Sequence, residues 1–104
     1  TLDKYCILNK IKQIDLLKID TQGYEQQVLK GSYSLLKENK IKAIEIEIIF
    51  DNNYEKYLTF SEIEKYIPPK YFRLVGMQLV NNNLFKGLGF AANAYYFNRK
   101  YYNI

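Results

Sequence analysis

The chain has no histidine, no tryptophan and a single cysteine, Cys6. Without histidine, the usual zinc clusters and any nucleophile activated by an imidazole are excluded from these residues. One cysteine cannot form an internal disulfide, which is compatible with a reducing compartment. Only two prolines, Pro68 and Pro69, and five glycines punctuate the sequence. No linker, internal repeat or low-complexity segment stands out beyond the asparagine run at 81–83. No apolar run approaches the ~20 residues of a membrane span, and no basic start leads into an apolar stretch with a small-residue cleavage site. The expectation is a soluble, cytoplasmic product with no membrane partner.

What remains is the composition of a globular protein, 48% hydrophobic and 25% charged over 104 residues. The net charge of +4 invites a nucleic-acid reading. Every basic residue except Arg73 and Arg99 is lysine, however, and they are scattered from Lys4 to Lys100 with acids between them. No compact basic stripe results, so solvation of the surface is favoured over nucleic-acid binding.

The pattern of apolar residues alternates between strand and helix. Residues 2–12 read as a helix or irregular lead-in, and 14–19 as a short apolar strand. Residues 24–38 carry apolar positions at helical spacing, with Asn39 as a stop. Residues 42–50 alternate, with Ile44, Ile46, Ile48 and Phe50 on one face and Ala43, Glu45, Glu47 and Ile49 on the other. Thr59 and Glu62 have the spacing of a capping box, which predicts a helix running to Pro68. Strands follow at 71–79 and 91–98, an expected antiparallel pair joined through the asparagine run and Gly87-Leu88-Gly89. The order is β-α-β-α-β-β.

The chemistry-bearing residues gather where strands end. Asp20 closes the first strand and Glu47 lies late on the second, and neighbouring strands run ~4.8 Å apart, so both acids could face one cleft. Such a pair can position an acceptor hydroxyl or take its proton. Asp20 can equally cap the helix that follows, with Thr21 as the other candidate cap. Gly23 suits a turn, with direct approach of a ligand as the second reading. Gln22 can hydrogen-bond but cannot act as a base. Glu25, in the first helical turn, complements the helix dipole or contacts substrate. Glu45 shares a face with Glu47, which requires that face to be partly open or the acids to be paired. Lys18 is then an edge gatekeeper, an ion-pair partner or an active-site group. Magnesium ligation by Asp20, Glu47 and Asn93 is chemically allowed, but nothing in the spacing requires a metal.

The run Leu17-Lys18-Ile19-Asp20-Thr21-Gln22-Gly23-Tyr24-Glu25, with Leu29-Lys30-Gly31 after it, resembles the FkbM-type family of S-adenosylmethionine-dependent methyltransferases. Gln22 stands where that family usually has Glu. Thr1-Leu2-Asp3, the strand through Glu45 and Glu47, Tyr54, Thr59-Phe60, Phe72-Arg73-Leu74-Val75 and Asn93-Ala94-Tyr95-Tyr96-Phe97 extend the resemblance, with Asn93 in place of the family's Asp.

The resemblance implies an α/β fold, half of a Rossmann-like class I methyltransferase sheet with strand order 4-5-7-6, strand 7 alone antiparallel, and flanking helices. Residues 1–104 would then be a single partial domain, the C-terminal half. The glycine turn and the ribose-binding acid of the cofactor site have no counterpart in it. The implied function is methyl transfer from S-adenosylmethionine to a hydroxyl of a sugar or related metabolite, with no cofactor expected on this chain alone. A non-catalytic, methyltransferase-derived interaction module is the alternative. Asp20 and Glu47 are the catalytic candidates, and Gln22, Gly23, Glu25 and Asn93 the candidates for binding the small-molecule acceptor. The first strand would become an unpaired apolar edge, which implies self-association or pairing with the missing N-terminal half.

Overall fold

The computed structural model describes residues 1–21, 24–49, 58–79 and 91–104. Four strands, β1 (Leu17–Ile19), β2 (Ala43–Ile49), β3 (Phe72–Leu79) and β4 (Ala91–Asn98), form one sheet in the order β1-β2-β4-β3. β1 and β2 are parallel, and β4 runs antiparallel to both β2 and β3. Among these four, then, only β4 is reversed, the order and directions that the resemblance implies. The connection between β3 and β4, including Gly87-Leu88-Gly89, lies outside the described residues, as does Phe50.

One face of the sheet carries the core. Ile19, Ile44, Ile46, Ile48, Phe72, Ala94 and Tyr96 pack with Leu29 of α2 (Glu25–Lys30), Leu35 and Leu36 of α3 (Tyr33–Lys37) and Ile63 of α4 (Phe60–Tyr66). The alternation of β2 puts its isoleucines on this face and Glu45 and Glu47 on the other. α5 (Arg99–Tyr102) turns onto that second face, where Tyr102 stacks on Phe97 with ring centroids 4.4 Å apart.

Two elements depart from the sequence pattern. The expected helix over 24–38 is two helices broken at Gly31-Ser32. Ser32 Oγ donates back to the Val28 carbonyl at 2.7 Å, an interaction that bends helices. The Gly31 carbonyl accepts from the Asp3 amide at 2.8 Å. Gly31 has ordinary helical φ, so its use is space: a Cβ there would lie 3.1 Å from Cβ of Thr1. The expected strand over 14–19 is also shortened. Ile14 makes an isolated parallel bridge to Ile41, and only Leu17–Ile19 pair continuously, with Leu16 58% exposed between them. Asp15 leaves the ladder to meet Lys42 at 3.2 Å.

The helix ends follow local chemistry. The capping box of α4 is complete: Thr59 Oγ1 accepts from the Glu62 amide at 3.2 Å, and Glu62 accepts from the Thr59 amide at 3.1 Å. Asn39, in the left-handed region at φ 58°, ends α3, and the Lys40 amide reaches back to the Leu35 carbonyl at 2.9 Å. The lead-in contains α1 (Leu2–Leu8), whose Thr1 caps it through a bond from the Lys4 amide.

Candidate functional site

The last paired residues of β1 and β2 are Ile19 and Ile46, so Asp20 and Glu47 follow side by side on neighbouring parallel strands. Parity along β1 puts Asp20 on the side of Lys18, and Lys18 meets Glu45 at 3.6 Å. The acids of β2 are therefore both half-buried and, for Glu45, paired, which answers the difficulty of two carboxylates on one face. Across β4, Glu47 stands in register with Asn93, and Asn93 with Gln78 of β3. A polar row runs over three strands, Glu47, Asn93 and Gln78, with Asp20 next to it just past the end of β1. A second row lies beside it, with Lys18, Glu45 and Tyr95 in successive register.

The electrostatics single out Glu47. Its carboxyl is pushed above the usual carboxylate value, first by burial, then by the charge of Asp20 and then by that of Glu25. Glu25 is the first residue of α2 and only 2% exposed, yet its charge is felt at Glu47, which ties the helix start to the strand ends. Asp20 itself is exposed. A carboxyl of raised pKa beside a second acid is the arrangement of a group that takes or shares a proton. Tyr95 belongs to the same electrostatic patch: a hydrogen bond to the Glu45 carboxylate pushes its phenol up.

The capping alternative does not hold. α2 starts at Glu25 with Tyr24 at the N-cap and no side-chain capping bond, so neither Asp20 nor Thr21 occupies that position. The physical reason is distance along the chain, because α2 begins five residues beyond Asp20 and not directly after it. Gln22 and Gly23 lie outside the described residues. Among the described residues no group of three or more acidic, cysteine or histidine side chains is placed to hold a metal ion. No described helix is long and apolar enough to cross a membrane.

Sequence reasoning missed Tyr95 and Gln78. Tyr95 was accessible, since it is two residues from Asn93 on the same strand and so on the same face. Gln78 was not. A bulge between Leu74 and Gly76 inserts Val75 as an extra residue and shifts the parity of the rest of β3, which alone brings Gln78 level with Asn93.

No curated protein and no solved structure matches the chain. The family described as the methyltransferase FkbM domain matches residues 1–75, a span that holds Asp20, Glu25 and Glu47 and stops short of Asn93. With well over half its length matched, from the lead-in helix through the acid-bearing ends of β1 and β2 to the start of β3, the chain belongs to the FkbM methyltransferase family.

Proposed function

We propose that these residues are the C-terminal part of a methyltransferase domain whose complete form moves a methyl group from S-adenosylmethionine to a hydroxyl of a sugar or related metabolite. The observation that supports this reading most directly is the raised Glu47 carboxyl beside Asp20, inside the span that matches the family. Glu47 accepts the proton of the acceptor hydroxyl, and Asp20 and Asn93 orient that hydroxyl from the two neighbouring strands. Glu25 holds the pair's potential negative from the start of α2. Gln22 and Gly23, which lie outside the described residues, are proposed from the sequence as further groups for binding the acceptor.

The carboxylates of Asp20 and Glu47 and the amide of Asn93 suit the hydroxyls of an acceptor. The 104-residue chain alone should show no heat of binding with S-adenosylmethionine in a calorimetric titration.

The test of the site is Asp20→Asn in an active protein spanning the whole family domain. Turnover should fall on the order of 10²-fold, the scale of a misplaced reacting group, with little change in melting temperature. Unchanged turnover would remove Asp20 from the chemistry. If the spanning protein neither binds cofactor nor transfers methyl groups, the non-catalytic interaction module takes the place of the enzyme.

The sheet's β1 edge supports a partner proposal. Among the described residues β1 is bonded only to β2, and Leu16 beside it is 58% exposed. Unpaired strand edges recruit further strands, so we propose that this edge pairs with the domain's N-terminal half or, in the isolated chain, with a second copy.

A further inference from the structure

We propose a second ligand site, for a small aromatic carboxylate, in the cleft between the α2–α3 pair and α4. The cleft has a volume of about 350 Å³, within the roughly 300–1,000 Å³ of small-molecule sites. Leu29 and Leu36 form its floor and are 1% and 6% exposed, so the base is dry and apolar. Tyr33, Tyr66 and Tyr71 form the walls. Tyr66 is held in place from the neighbouring helix, because Gln26 Nε2 donates to its hydroxyl at 3.0 Å. A tyrosine ring fixed in this way, with two more beside it, favours a flat aromatic guest, since offset and edge-on ring pairs add to simple area burial.

The charge of the lining selects the guest's polar group. Lys37 and Lys65 are the charged side chains of the lining, and no carboxylate lines the cleft among the described residues. Glu62, the acid that feels Lys65 on its own helix, is already engaged by the Thr59 cap. The Lys37 ammonium lies 5.7 Å from the Tyr33 ring centroid, so cation and aromatic wall are presented together. Outside the lining proper, Lys70 lies 5.5 Å from the ring centroid of Tyr71, adding positive potential at the rim. An anion attached to a ring satisfies both features, and a neutral apolar guest satisfies one.

The site is distinct from the strand-end acids. β1, β2 and β3 point the same way, and Asp20 and Glu47 lie toward their carboxyl ends. Tyr71 immediately precedes β3, and Lys37 ends the helix that leads into β2, which puts the cleft at the amino ends. The proposal is therefore independent of methyl transfer.

The probe is 2-naphthoate, titrated calorimetrically against the chain with 2-naphthalenemethanol as its neutral counterpart. Saturable one-to-one binding of the carboxylate is expected, weakened about tenfold in the Lys37→Glu, Lys65→Glu double variant, as two exposed ion pairs imply. A Lys4→Glu, Lys12→Glu variant, with the same change of net charge, should bind as the parent does. Tyr66→Ala should weaken binding while Lys37 and Lys65 are intact. Equal binding of the neutral alcohol, equal loss in the two charge variants, or no saturable binding at millimolar probe would each overturn the proposal.

Discussion

The carboxylate of Asp3 closes on the backbone of Leu35, taking the Leu35 amide at 3.1 Å and the adjacent Ser34 amide at 3.0 Å. α3 has no capping bond from its own N-cap residue, Ser32, so α1 supplies the cap from far away in the chain. Two segments that carry the family resemblance, Thr1-Leu2-Asp3 and Leu29-Lys30-Gly31, thus meet, with Asp3 bonded to Gly31 through its own amide. Asp3→Ala should cost about 1–2 kcal/mol, the range of a lost helix cap. For a domain of this size that is a fall of roughly 4–8 °C in melting temperature per kcal/mol. A variant that melts with the parent would show that water replaces the carboxylate without loss.

Thr59→Ala should cost about 1 kcal/mol at neutral pH through loss of the α4 cap. The partner acid gives this a pH signature. The Thr59 amide first and its hydroxyl second hold the Glu62 carboxyl below its usual value of 4.5, so its contribution is present above that value and lost as pH falls through the lower, folded one; Ala keeps the amide bond and removes the hydroxyl's share. The difference in melting temperature between parent and variant should shrink across that acid window.

Glu47→Gln should show opposite signs in stability and activity. The folded carboxyl is raised above 4.5, so its contribution to stability is present below that value and lost as pH rises through the folded one. The variant should therefore be slightly more stable than the parent at neutral pH and equal to it in acid. In a complete, active domain the same change should lower turnover on the order of 10²-fold. Thermal melts across pH and a turnover assay separate the two effects.

Tyr96→Phe should stabilise the fold. Tyr96 is 2% exposed, its hydroxyl has no hydrogen-bond partner among the described residues, and burial with the nearby Glu64 charge pushes its pKa up to about 12. Removing a buried, unpaired hydroxyl while keeping the ring should gain about 1 kcal/mol, read as a rise in melting temperature. A loss instead would reveal that the hydroxyl has a partner in solution, such as a buried water.

The isolated chain should self-associate through the β1 edge. Sedimentation over a concentration series should show a monomer–dimer equilibrium, and Leu16→Lys should shift it toward monomer, because a charge on an edge strand opposes pairing. A monomer at high micromolar concentration in both proteins would place the edge's cover within the chain itself.

Much of this protein is written locally in its sequence. The bounds of β4, the capping box at Thr59 and Glu62, the stop at Asn39 and the alternation of β2 all depend on neighbours within a few residues, and each was legible there. Asp20 and Glu47 could be paired from strand ends alone, since two parallel strands with the same exit must bring them together. The break at Gly31-Ser32 was not read this way, because the helical period continues through it; the Ser32 back-bond is local, but the Asp3 bond to Gly31 comes from the start of the chain. Gln78 joins the polar row only because the bulge at Val75 resets its strand's parity. The raised Glu47 carboxyl likewise needs the tertiary fold: burial and the charges of Asp20 and Glu25 act through space, and spacing in a sequence carries no record of that distance.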